Sequence, residues 1–188
     1  MRYVPEFLQS MIIPMLVSLI FIVIFRALSY AYMKKRNIKT TVTHEIGMVV
    51  FCLSTVGLLS QAIFPQTPLV FPFQGGYNFI PFRVIYDSIE KGILYSDWDF
   101  LFVNIIGNIA VFMPMGFFVP LLFHKITLKK TLIIGFLASL CIELCQIPQN
   151  RVTDIDDLWL NTLGAFLGYL VYILLRKIFN EKRFKVLK

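Results

Sequence analysis

Histidine and cysteine are scarce in this chain, and what little there is lacks a pattern. His44 and His124 stand alone, and Cys52, Cys141 and Cys145 all fall inside apolar runs. No spacing suits a metal site, and three cysteines in apolar surroundings exclude a disulfide framework while fitting inert packing. No Ser, His or Cys nucleophile arrangement stands out, no cofactor is implied, and neither an internal repeat nor a low-complexity tract is present. Charge is thin as well, at 15% of residues against 57% hydrophobic. The imbalance of sign, a net +7, does not point to nucleic acid, because the basic residues sit between and after apolar runs. That placement suits contact with membrane lipid, anionic lipid in particular.

What is abundant is apolar length. Phe alone supplies 19 residues, and the mean hydropathy is +0.74. A bilayer crossing takes roughly 20 predominantly apolar residues. Five such runs are visible, near Met11–Met33, Ile46–Phe64, Leu101–Phe123, Thr131–Ile147 and Leu158–Leu175. Only helices satisfy their own backbone within each crossing, so the expected fold is all-α: a polytopic membrane bundle of about five helices forming one integral membrane domain over residues 1–188. The first run is too long for a signal peptide, and no small-x-small cleavage site follows it. Arg26, toward the end of that run, is expected to snorkel to the interface, with a partner inside the bundle as the alternative.

Lys and Arg set the orientation. Lys34, Lys35, Arg36 and Lys39 separate the first two runs, Lys125, Lys129 and Lys130 separate the third and fourth, and a basic tail covers 176–188. The alternate connections are poor in base and carry Asp87, Glu90, Asp97 and Asp99, then Asp154, Asp156 and Asp157. Every boundary agrees with the amino terminus outside and the carboxyl terminus in the cytoplasm. In the long outer connection, Phe82, Ile85, Ile89 and Ile93 recur at near-helical spacing, which predicts a short interfacial helix with Tyr95 and Trp98 in the headgroup zone.

Polar residues inside the runs carry the functional information. Glu143 and Gln146 share a face near the outer end of the fourth helix, with Ser139 extending it. A carboxylate there must turn into the bundle and be paired or protonated. Arg151, in the turn that follows, is a charge partner for the acids or a ligand for a phosphate or carboxylate. Asp154, Asp157, Asn161, Gly164 and Gly168 step by three and four along the fifth helix, forming one polar and then small stripe that a neighbouring helix can approach closely. Asp156 falls off that stripe and is expected to serve capping or solvent. Asn104 and Asn108 occupy the outer half of the third helix, above Pro114, Gly116 and Pro120. Interhelical hydrogen bonding explains each amide singly, but three helices with amides, acids and a base at one depth suggest a polar pocket.

The combination Asn108-x3-Phe112-x-Pro114-x-Gly116, then Glu143-x2-Gln146, Arg151, Asp154, Asp157 and Asn161-x2-Gly164-x3-Gly168 resembles the VanZ-like membrane protein family, over about Gly75–Tyr172. The segment Asn78-Phe79-Ile80-Pro81-Phe82 is similar to the family's Asn-x-x-Pro-Phe stretch. Where the family often has Ser-Gly before the arginine, this chain has Gln149-Asn150, and Asn tolerates the left-handed turn that Gly allows. The resemblance implies a multi-pass protein of the bacterial plasma membrane with an envelope role, since the family's named member is associated with low-level resistance to the glycopeptide teicoplanin. Three functional readings follow. The first is a binding or modulating protein whose Asn104, Asn108, Glu143, Gln146, Arg151, Asp154, Asp157 and Asn161 engage an envelope lipid, a peptidoglycan precursor or a glycopeptide. The second is a membrane enzyme with Glu143, Asp157 and Arg151 as catalytic groups, or with Asp154, Asp157 and Glu143 around a divalent metal. The third is a small transporter or assembly factor.

Overall fold

A computed structural model of the chain describes residues 3–36, 40–63, 76–96, 98–123, 125–149 and 152–178. Arg151, Asp97, His124 and the basic tail beyond Ile178 lie outside the described residues. Among the described residues the chain is all-α apart from one two-residue strand pair. The helices are α1 (Tyr3–Lys35), α2 (Val42–Ile63) and α3 (Arg83–Tyr95), then α4 (Asp99–Leu122), α5 (Leu128–Gln146) and α6 (Ile155–Ile178). Strands β1 (Tyr77–Asn78) and β2 (Thr153–Asp154) pair in parallel, Tyr77 opposite Thr153 and Asn78 opposite Asp154.

All of these helices except α3 are long and apolar enough to cross a bilayer. Their outward faces say the same thing physically. Along α1, Leu16, Ile20, Phe21, Phe25 and Leu28 are each more than 60% exposed, a continuous apolar surface that water would not tolerate. Helix α3 is the expected short helix of the connection. Its Ser88 and Gly92 are buried, with Gly92 under the Trp98 ring, while Phe82, Tyr86, Ile89 and Ile93 form an exposed apolar face.

The centre of the bundle is the packing of α4 on α6. A methyl group at Gly164 would collide with the Ile109 carbonyl, one at Gly168 with the Met113 carbonyl, and one at Gly116 with the Ala165 carbonyl. In lipid, where apolar burial drives no helix association, such close backbone approach supplies the contact energy. Leu58, Phe112 and Ile142 fill the core toward the α3 end. Leu121, Leu122 and Tyr172 fill it at the opposite end, where Met48 and Phe51 of α2 join them.

Two sequence expectations need correction. Arg26 does not snorkel. Its Nε and Nη2 donate to Glu45 Oε2 of α2 at 3.0 and 2.6 Å, and Thr40 donates to Glu45 Oε1 at 2.8 Å. Pairing within the bundle satisfies both charges where lipid would leave each unsolvated. Asp156 is fully buried rather than turned to solvent, for a reason that belongs to the site.

Candidate functional site

The site lies at the α3 end, where the first turns of α4 and α6 meet the last turns of α5. Helix α4 widens to π-helical turns over Phe102–Gly107, a local rearrangement frequent at functional sites. The Asn104 amide donates to the Phe100 carbonyl at 2.7 Å, and the Asn108 amide donates to the Asn104 carbonyl at 2.9 Å, supplementing the backbone ladder where it widens. Asn108 Nδ2 also reaches across to Asp157 Oδ1 at 2.6 Å, so α4 and α6 are joined by an amide–carboxylate bond directly above their glycine contacts.

From α5, Glu143 is 2% and Gln146 5% exposed. Glu143 Oε2 accepts the Asp154 backbone N–H at 3.2 Å. Ser139 accepts from Asn161 Nδ2 at 2.8 Å. A cavity of about 50 Å³ lies here, lined by Asn108, Glu143, Gln146, Asp157 and Asn161 on its polar part and by apolar residues that include Phe7 of α1 and Phe112 of α4. Asn161 is itself 4% exposed, and among the described residues no donor reaches its Oδ1. A buried acceptor without a donor costs about 1–3 kcal/mol, so this atom is the polar group of the cavity least satisfied by the described residues.

Above the cavity sits a latch of two aspartates. Asp154 caps α6, its Oδ1 accepting the Asp156 N–H at 2.9 Å. Its two oxygens also receive Asn78 Nδ2 at 3.0 and 2.9 Å, while Asn78 Oδ1 accepts the Ile80 N–H at 3.2 Å. Asp156 caps α3 instead of its own helix. Its oxygens accept the N–H of Phe82 at 2.7 Å, the N–H of Val84 at 2.8 Å and Trp159 Nε1 at 2.9 Å. Phe82 stands at φ 66, a left-handed conformation rare for a bulky residue. It is held there by that carboxylate and by its ring packing 5.5 Å from Trp159.

The geometry thus gathers Asn108, Glu143, Gln146, Asp157 and Asn161 around one space, and separates Asn104 and Asp154 from it. Asn104 serves its own helix and Asp154 the latch. Among the described residues no group of three His, Cys, Asp or Glu is placed to hold a metal ion. The ligand set Asp154, Asp157 and Glu143 raised with the enzyme reading is therefore not assembled, because the Asp154 carboxylate is turned to Asn78 and the start of α6.

A family model described as VanZ/LLP1 matches residues 11–176. The chain belongs to the VanZ/LLP1 family. Among curated proteins, Protein VanZ of Enterococcus faecium is 34% identical over 83 residues, 44% of this chain and 52% of that protein. The chain thus spans about half the length of that relative. No solved structure matches it. Within this VanZ/LLP1 chain, the latch explains the Asn78-x-x-Pro81-Phe82 segment: Asn78 binds Asp154, and Phe82 binds Asp156. Sequence reasoning quoted that segment without assigning Asn78 to the site. The signal available was an amide three residues before Pro81, between the aromatic residues Tyr77 and Phe79.

Proposed function

We propose that this chain is an envelope-facing membrane protein that binds the polar head of an envelope lipid or lipid-linked wall precursor in the cavity at the α3 end, and thereby changes susceptibility to teicoplanin-type glycopeptides. The observation that carries this reading is the buried Asn161 Oδ1, which has no donor among the described residues, on a residue that lines one cavity with four other polar side chains and an apolar remainder. Small-molecule sites run to roughly 300–1,000 Å³, so a space of about 50 Å³ admits one hydroxyl, ammonium or amide group rather than a whole glycopeptide. That favours a lipid or precursor head over the drug as the direct ligand. Arg151, three residues before Asp154 in sequence, supplies the fork for a phosphate or carboxylate on the same head. The basic ends of the helices support a non-cytoplasmic position for this cavity: Lys34 and Lys35 close α1, and Arg176 and Lys177 close α6, the pattern expected of an amino terminus outside and a carboxyl terminus in the cytoplasm.

The test is glycopeptide susceptibility of a bacterial host with and without expression, at matched membrane abundance. Expression should shift teicoplanin susceptibility. Asn161→Leu, which keeps volume but removes the acceptor, and Arg151→Lys, which keeps charge but loses the fork, should abolish the shift. Ser139→Ala removes the Asn161–Ser139 bond without touching the cavity acceptor and should retain it. Unchanged susceptibility to several glycopeptides on expression, or full activity of Asn161→Leu, overturns the reading.

A further inference from the structure

Beside the polar cavity, α1 and the first half of α4 enclose a second space of about 370 Å³. Leu8, Met11 and Met15 form one wall, and Phe102, Ile106 and Ala110 the other. Ser54 is the one hydroxyl on its lining, and that group already donates to the Val50 carbonyl at 2.8 Å. The groove therefore offers an occupant no polar side-chain donor. Leu8, Phe102 and Ile106 are 41–48% exposed, so the groove is open on the side that faces hydrocarbon. Phe7 and Val111 line both this groove and the polar cavity.

Its length selects the occupant. From Val4 to Met15 the groove follows α1 for eleven residues, or about 17 Å at 1.5 Å per residue. Half the hydrocarbon thickness of a bilayer is about 15 Å. A space that runs the depth of one leaflet, with a polar chamber at its side, fits the acyl chain of a lipid, whereas the longer polyprenyl chain of a wall precursor would overrun it.

We propose that the α1–α4 groove is a binding site for one acyl chain of a membrane glycerophospholipid, with Phe7 and Val111 marking where the chain passes the chamber that takes the head. The position of the head rests on the function proposed above; the chain site is tested separately.

The full chain, reconstituted in vesicles of phosphatidylethanolamine and phosphatidylglycerol, is irradiated with a trace of phosphatidylglycerol carrying a diazirine at the end of one acyl chain, and adducts are mapped by mass spectrometry. Labelling of Met11, Met15, Ile106 and Ala110 should exceed labelling of Ile133, Phe136 and Leu137, residues of α5 that are 43–51% exposed and therefore at least as open to passing lipid, by about tenfold, the ratio that about 1.4 kcal/mol of preference for a site would give. Ala110→Trp, which fills the groove from α4, and Leu8→Trp, which fills it from α1, should each remove the excess and leave α5 labelling unchanged. Equal labelling of groove and α5, persistence of the excess in both Trp variants, or preferential labelling by a photoreactive polyprenyl phosphate overturns the proposal. If the excess is absent while Asn161→Leu still abolishes the susceptibility shift, the chain site fails and the head-binding function stands. If the excess is present while Asn161→Leu keeps full activity, the reverse holds.

Discussion

Three donors from two different helices converge on the Asp156 carboxylate, and that convergence decides what the residue is for. The N–H groups of Phe82 and Val84 are the first free donors of α3, a helix that has no side-chain cap of its own. A carboxylate at a helix start satisfies such donors and complements the helix dipole. Removing it leaves each donor with a penalty of about 1–3 kcal/mol. Asp156→Ala should therefore destabilise the protein by about 3 kcal/mol or more, seen as a lower melting temperature in detergent. Asp156→Asn, which keeps one acceptor, should be milder. In a cysteine-free background, Cys introduced at the buried Ser88 should become reactive to maleimide when Asp156→Ala is added; continued protection would mean that α3 is held by something else. Of the two roles expected of Asp156, capping is the one it fills, but on α3 rather than on its own helix, a partner the sequence does not name because these donors lie 74 and 72 residues away in the chain. Helical spacing reports only the face a residue occupies, and the face of Asp156 is covered by a connection rather than by a helix.

At the scale of elements, the apolar runs located the crossing helices because hydrocarbon leaves little freedom of length or type. Their starts all lie before those of the apolar runs, while three of their carboxyl ends fall one residue short. Helix α1 starts at Tyr3 rather than near Met11, since Glu6, Gln9 and Ser10 are compatible with helix though not with an apolar run. The spacing of Gly164 and Gly168 foretold a close helix contact, and the partner proved to be α4. The strand pairing had no signature, as it joins distant segments of the chain, and the π-helical turns had none either. Arg26 illustrates a further limit. A lone base near a helix end reads as a snorkelling group, and Glu45 of the next helix was the missing half of a pair whose side chains are 15% and 12% exposed. Truncating either partner strands the other charge, at a cost of about 3–5 kcal/mol for buried pairs. Arg26→Leu and Glu45→Leu should each lower membrane abundance several-fold, and the double substitution should recover most of it. A double variant no better than the worse single one would show that the two residues act independently.

Taken as a whole, the molecule segregates its chemistry by end. One end holds the amides, the buried acids and the aspartate latch. The other holds Tyr172 and Leu121 in an apolar cluster, with Lys34, Lys35, Arg176 and Lys177 in the closing turns of α1 and α6. That asymmetry was the most legible property of the sequence, because it needs only the positions of charges relative to apolar runs. It yields a prediction for the intact chain: an alkaline phosphatase fusion at Gly76, on the α3 connection, should be active, and a fluorescent protein fused after Lys188 should fluoresce in the cytoplasm. The reverse pattern would place the cavity on the cytoplasmic face and exclude an extracellular ligand.

The bond from Asn78 to Asp154 joins positions 76 apart in the chain, with α3, α4 and α5 all lying between them. During synthesis the last helix must leave the translocation machinery before this closure can form. Until then, Asn108 and Glu143 have to reside in the membrane without their α6 partners. Assembly of the chamber is thus a late event in biogenesis, so a nascent chain arrested before Asp154 should remain in a half-built, protease-sensitive state that handling factors or quality-control proteases can recognise.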